Sequence, residues 1–332
     1  MRDTIASWQK ILAQGFGSSR ELLCHLELPH DGASSDAEIQ FKTRVPRGFV
    51  ARMQPQNPND PLLLQVLASA KELTPHADYV PDPLEERVKN PMSGLIHKYF
   101  GRVLLVLTGA CAVHCRYCFR RHFPYEDNNP GRVGWKPVMD YIASNTEIHE
   151  VILSGGDPLL ASDTMLSDLL MDLQNIPHVQ TIRFHTRVPV VLPERISEDF
   201  LQLMASIKPQ KVMVLHVNHP HELDEGVVAS LKKLSQAGFV LLNQSVLLRG
   251  VNDDATVLMT LSQRLFASGV LPYYLHLLDK VQGASHFEVL EEEAKIIFAQ
   301  LQGLLPGYLV PRLAREEAGK KHKTLILGDC LS

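Results

Sequence analysis

Five cysteines and two tryptophans are all that 332 residues contain, and no hydrophobic run is long. The longest, such as Val103–Leu107 and Phe239–Leu242, fall far short of the roughly 20 apolar residues that span a bilayer, so no membrane segment is expected. Blocks of lysine and arginine are missing too, and the formal net charge is −4, which does not suggest a nucleic-acid partner. The first residues, MRDTIASWQKILAQ, form an amphipathic helical pattern without the apolar core and cleavage site of a signal peptide. A cytoplasmic location follows as the expectation. In a reducing compartment, clustered cysteines mean metal or catalysis rather than disulfides, and a chain with 45% hydrophobic residues can bury a core without them. There is no internal repeat and no low-complexity segment.

What cysteine there is lies mostly in one place. Cys111, Cys115 and Cys118 form Cys-x3-Cys-x2-Cys, directly after Arg102–Thr108 (RVLLVLT), an apolar run that reads as a buried strand. Thiolates select zinc, copper(I) or iron–sulfur centres. A closed zinc site needs four ligands, commonly two pairs; no second Cys-x2-Cys exists, and Cys24 and Cys330 stand alone. A [4Fe–4S] cluster is usually held by four thiolates, so three on one loop leave an iron open for chemistry. The other readings are three small core residues, or a zinc shared with His114 or His122.

Residues 1–97 read as a mainly helical, loop-rich N-terminal extension. Ser18 is placed to cap a helix, Leu62–Glu72 reads as another, and Pro81–Pro91 as a connector. Strand and helix patterns then alternate. The strands are Arg102–Thr108, Glu150–Ser154, Thr181–Thr186, Lys211–Val217, Phe239–Ser245 and Leu271–Leu277. Between them lie helices at Lys136–Ser144, Asp163–Gln174, Glu198–Ile207, Asp224–Gln236 and Asp254–Ala267. Such alternation implies parallel strands with crossover helices. The fold class is therefore α/β: a partial, TIM-like (β/α)6 barrel over residues 98–305, with a C-terminal segment, 306–332, after it.

Chemistry in a parallel barrel gathers at the C-terminal strand ends, and the unusual residues fall there. Ser154-Gly155-Gly156-Asp157-Pro158 follows the second strand and His185-Thr186-Arg187-Val188-Pro189 the third. His216-Val217-Asn218-His219-Pro220 follows the fourth, Gln244 ends the fifth, and Asp279 lies beyond the sixth. Gly155-Gly156 admits a ligand close to the backbone because no Cβ intervenes, or is a plain turn. His216 and Gln244 are ligand contacts or satisfied interior polar groups. Arg120 offers a bidentate clamp for a carboxylate.

Cys-x3-Cys-x2-Cys after a first strand, followed by Gly-Gly-Asp-Pro after the second, resembles the radical S-adenosylmethionine enzymes. Arg120-Arg121 behind the last cysteine narrows the resemblance to the lysine 2,3-aminomutase family, and the similarity runs from about Lys98 to Lys323. It implies that Cys111, Cys115 and Cys118 hold a [4Fe–4S] cluster whose open iron chelates S-adenosylmethionine. Gly155, Gly156 and Asp157 would lie at its methionyl amino group, with His216 and Gln244 as further contacts. It also implies pyridoxal 5′-phosphate, with Tyr99 on its ring, Arg102 at its phosphate and Lys323 as its lysine. Position 98 is lysine here where better-known members have arginine, which keeps the charge but loses the fork. Lys320 and Lys321 compete with Lys323, and composition alone reads that tail as solvated. The substrate would be L-lysine, its carboxylate on Arg120 and its distant ammonium on Asp279. A second carboxylate would assist at Glu316, where the family has aspartate; Glu317 is its neighbour.

The expected activity is an isomerase making β-lysine. The short C-terminal segment resembles the branch that supplies (R)-β-lysine for modification of elongation factor P, through a ligase pathway, with an electron donor such as a flavodoxin. A metabolic lysine or glutamate aminomutase and a non-catalytic metal-binding module serving a translation partner are the alternatives. Whether the chain forms a homo-oligomer is left open.

Overall fold

The computed structural model of the chain describes residues 7–126, 128 and 134–327. Cys330 and the first six residues of the N-terminal amphipathic stretch lie outside them. Nine strands form one sheet: β1 (Leu95–Tyr99), β2 (Arg102–Thr108), β3 (Glu150–Gly155), β4 (Thr181–Thr186), β5 (Gln210–Leu215), β6 (Phe239–Val246), β7 (Leu271–His276), β8 (Arg312–Arg315) and β9 (Thr324–Leu325). Their spatial order is their chain order. The run from β2 to β8 is parallel throughout; β1 and β9 pair antiparallel at the two ends. The six expected strands are present with ends within a residue or two.

The parallel set has one more strand than the sequence pattern offered. β8 spans four residues, RLAR, with two apolar side chains between two charged ones, too short for a period to show. It joins the sheet because the helix Glu291–Leu304 crosses back from β7. Crossover helices at Trp135–Ser144, Asp163–Gln174, Glu198–Ala205, Glu225–Gln236 and Ala255–Ala267 precede it. Ser162, Ser197, Asp224 and Asp254 cap four of these, each side-chain oxygen accepting from an N–H of the first turn. Such a cap contributes about 1 kcal/mol and sets where the helix begins.

Among the described residues no ladder joins β9 to β1, so the barrel is open. Side chains close the gap instead: Glu316, just after β8, accepts from Lys98 and Tyr99 of β1, each at 3.0 Å. Residues 306–327 are thus part of the barrel wall.

The N-terminal extension is short helices and turns. Ser18 caps Ser19–His25 as its sequence suggests. The helix expected over Leu62–Glu72 is instead a turn of helix at Pro61–Leu64 and a 3₁₀ turn at Ala70–Leu73. Ser69 and Glu72 form a capping box that starts the second turn afresh. Packing does not respect a boundary after residue 97, which falls inside β1: Trp8, Phe16, Phe49 and Leu62 share one continuous core with Leu105, Leu153 and Phe184 of the barrel.

Candidate active site

Gly155 and Gly156 shape the floor of the mouth. Gly155 has φ +123°, and a Cβ there would meet the Thr108 carbonyl oxygen at 2.5 Å. At Gly156 a Cβ would lie 2.3 Å from the Ala110 oxygen. The pair lets the turn after β3 press against the start of the cysteine loop, so the plain-turn and ligand readings share one physical cause. Asp157 is committed to the protein. Its carboxylate accepts from Thr186 Oγ1 (2.7 Å) and from the N–H groups of Leu159, Arg187 and Val188 (3.1, 2.8 and 3.2 Å). Burial pushes its pKa up to about 6, against the lowering by these bonds. Its observed work is to lock the turn after β4 to the turn after β3.

The cysteine loop is held from outside the barrel. Arg116, fully buried, donates from Nε and Nη2 to the two oxygens of Glu72 (2.9 and 2.6 Å) and from Nη1 to the Phe41 carbonyl (2.6 Å). Arg121 reaches the same Glu72 at 2.7 Å. The backbone N–H groups of His114 and Arg116 bond to the Arg44 and Gln65 carbonyls. The extension, which the sequence left without a role beyond packing, is the clamp on this loop. Removing one partner of a buried pair leaves an uncompensated charge and costs about 3–5 kcal/mol. Glu72→Ala should therefore lower the unfolding free energy by about that much. Denaturant titration measures it, and a loss under about 1 kcal/mol would mean the clamp is ornamental.

The three thiols line one cavity of about 980 Å³. Burial raises the pKa of Cys111 well above the usual thiol range, and Cys118 and Cys115 raise it further. Cys118 is pushed up to about 11, by burial first and Cys115 next. Three close thiolates repel one another, so their ionised form calls for a cation between them, which an iron–sulfur cluster supplies. No three His, Cys, Asp or Glu side chains among the described residues are placed to hold a single metal ion. His114 Nδ1 is bonded to the Lys42 carbonyl instead.

Lys323 lines the same cavity, whereas Lys320 and Lys321 point outward and are exposed. Lys323 Nζ donates to Glu316 Oε2 at 2.8 Å and lies 5.6 Å from the centre of the Tyr274 ring. Burial alone would raise the pKa of Glu316, but Lys323 and Lys98 overcome it and hold the carboxyl well below its usual range. The Arg102 guanidinium stacks 4.7 Å from the Tyr99 ring centre. A lysine, a tyrosine ring and an arginine facing one cavity fit an aldehyde-bearing aromatic phosphate such as pyridoxal phosphate. Glu317 turns to Thr324 rather than into the cavity.

Asp279 stands apart. It faces the cavity, and no described residue donates a hydrogen bond to its carboxylate or pairs with it within ion-pair distance. Burial and, next, Glu316 push its pKa up to about 7. His216 accepts from Gln244 Nε2 at 3.0 Å and is kept neutral by burial, its pKa lowered to about 3. Arg120 has its Nε–Nη2 edge filled by Glu86 (2.6 and 2.9 Å), while Nη1 donates to Ser154 Oγ (3.0 Å). No local pattern marked Glu72 or Glu86, which lie in the loop-rich extension. Arg187 did carry a signal, its place in the motif after β4.

A cavity at the C-terminal ends of parallel strands, walled by three thiols and a glycine pair, defines the class of enzyme. Residues 105–259 match the family model described as the Radical SAM superfamily. The chain is 50% identical over 321 residues to the L-lysine 2,3-aminomutase of Haemophilus influenzae, covering 96% of this chain and 95% of that protein. It is 49% identical over 292 residues to the L-lysine 2,3-aminomutase of Escherichia coli, covering 88% and 85%. The enzyme of that name from Clostridium subterminale is 37% identical over 280 residues, covering 84% and 67%. The chain belongs to the L-lysine 2,3-aminomutase family of radical SAM enzymes and is by that an isomerase; the reading as a non-catalytic module falls. Among the described residues no helix is long and apolar enough to cross a membrane.

Proposed function

We propose that this enzyme moves the α-amino group of L-lysine to C3, giving β-lysine, with Cys111, Cys115 and Cys118 holding the cluster and Lys323 holding pyridoxal phosphate. The observation that carries the reading is that one cavity is lined by the three thiols, by Lys323 and by the unpaired carboxylate of Asp279. When bound, the cluster with S-adenosylmethionine supplies a 5′-deoxyadenosyl radical, and pyridoxal phosphate supplies an electron-delocalising ring. The protein's part is to bind, orient and keep out water. Arg120 Nη1 and Ser154 offer donors to the substrate carboxylate beside the Glu86 pair. Asp279 takes the side-chain ammonium. That carboxylate would not suit a second substrate carboxylate, which disfavours glutamate. Glu316 is saturated by Lys98, Tyr99 and Lys323, so it holds the Lys323 ammonium in place and can turn to an ammonium of the substrate once Lys323 is bonded elsewhere. Lys323 must lose a proton before Nζ can act as a nucleophile.

We infer that the product serves elongation factor P modification as its (R)-isomer, a reading that rests on the family resemblance of the sequence alone. A metabolic lysine aminomutase is the competing assignment. Anaerobic reconstitution followed by lysine, S-adenosylmethionine and dithionite should yield β-lysine; chiral chromatography reads its hand, and no β-lysine would sink the proposal. Borohydride should fix the pyridoxal cofactor to Lys323, and peptide mapping that finds it on Lys320 or Lys321 would overturn that assignment.

A further inference from the structure

Arg187 is the first residue after β4, in the His-Thr-Arg-Val-Pro motif that no cofactor role absorbs. Its side chain is 6% exposed, and its backbone N–H is pinned by Asp157 at 2.8 Å. Nη1 donates to Cys115 Sγ and to Tyr117 Oη, both at 2.8 Å. Nη2 donates to Gln65 Oε1 (2.6 Å) and Glu222 Oε2 (2.9 Å). Asn218 Nδ2 bonds to Tyr117 Oη (2.7 Å) and Gln65 Oε1 (3.1 Å), which fixes the acceptors as well. The other arginines of the cysteine loop are spent elsewhere: Arg116 and Arg121 on Glu72, and Arg120 on Glu86 and Ser154.

We propose that Arg187 is a positioning residue for the iron–sulfur cluster, raising its reduction potential through the hydrogen bond to Cys115. The inference rests on the cluster reading above. A cationic donor on a ligating sulfur draws charge from the cluster and favours the form carrying one more electron; hydrogen bonds to the sulfurs and local charge are what set such potentials. Three other groups, Tyr117, Gln65 and Glu222, hold the guanidinium independently of Cys115, so its place does not depend on the ligand it serves. Burial keeps the charge from being screened. The consequence falls on the reductive step, because a cluster of lower potential is harder for any donor to reduce.

The test uses the full chain, reconstituted anaerobically, with iron and sulfide measured before an electron paramagnetic resonance titration without S-adenosylmethionine. At the potential where the parent is half reduced, Arg187→Met should show a ratio of reduced to oxidised cluster about tenfold lower, which is about 59 mV for one electron. Arg187→Lys, which restores the charge without the fork, should recover part of that shift. A fully loaded Arg187→Met protein with the parent's potential overturns the proposal and leaves Arg187 a structural ion pair with Glu222. Should the variants fail to load, the parent itself decides. With arginine labelled by ¹⁵N only at its guanidinium, pulsed resonance should find a nitrogen coupled to the reduced cluster, and a spectrum without one overturns the proposal. A parent that takes up no iron and sulfide removes the cluster reading and this one together; a loaded parent with an unshifted variant removes only this one.

Discussion

Replacing Cys115 by alanine should abolish reductive cleavage of S-adenosylmethionine, with methionine and 5′-deoxyadenosine falling to the level of the protein-free control. Cys111→Ala and Cys118→Ala should do the same, whereas Cys24→Ala should not, because Cys24 is exposed on the helix Ser19–His25, away from the cavity. The size of the effect follows from ligand count. With three protein thiolates one iron is open to the substrate; with two, a second iron loses its protein ligand and the cluster is lost or rearranged. The reaction has no weaker fallback, since no side chain substitutes for a one-electron donor. The loop itself should survive each change. Its clamp is made by Arg116, Arg121 and Glu72, and none of those bonds involves a sulfur. Circular dichroism should therefore match the parent while iron content drops. Cleavage at the parent's rate by the Cys115→Ala protein would end the assignment.

The parts of the site that were legible in the sequence share a property: each is a local pattern. Cys-x3-Cys-x2-Cys, Gly155-Gly156 and the strand-end motifs lie within short windows, and the strands that carry them are continuous apolar runs such as RVLLVLT. Parallel topology followed from the alternation of such runs with capped helices. What stayed hidden is set by contacts between distant segments. Glu72 is 44 positions from Arg116, and Glu86 is 34 from Arg120; no spacing rule links them, and a glutamate in a loop reads as solvated until its partner is seen. Asp157 shows the converse. Its motif drew the eye toward a ligand, yet four donors from the protein consume its carboxylate. β8 escaped notice because four residues carry too little periodicity, and with it went the fact that Glu316 and Lys323 sit on a barrel wall rather than on a tail.

Asp279→Asn should reduce kcat/KM for lysine by roughly one to two powers of ten, the effect of one charge-assisted hydrogen bond of about 1.5–3 kcal/mol. Shorter amino acids that never reach Asp279 should lose little, so the lead of lysine over them narrows. The distinctive sign is in the pH profile. The carboxyl of Asp279 has its pKa raised to about 7, by burial first and by Glu316 second, with Lys323 and Lys98 pulling the other way. Below that value the group is neutral and meets an ammonium without full charge; above it the carboxylate is ionised and attracts one. Affinity for lysine should therefore rise as pH increases through about 7, and this limb should vanish in Asp279→Asn, which cannot ionise. The same raised pKa works against stability as pH rises. A carboxyl whose folded pKa exceeds its unfolded value favours the fold below the unfolded value, and that contribution is lost as pH climbs through the folded one. Asp279→Asn should thus flatten the fall in unfolding free energy between the ordinary carboxyl value of 3.8 and about 7 in the cofactor-free enzyme. Glu316 cannot produce either effect, because Lys323 and Lys98 overcome its burial and keep it ionised far below neutrality. If Asp279→Asn kept both the preference for lysine and the rising limb, the ammonium would have to be met elsewhere, and Glu316, freed once Lys323 turns away, would be the residue to change next.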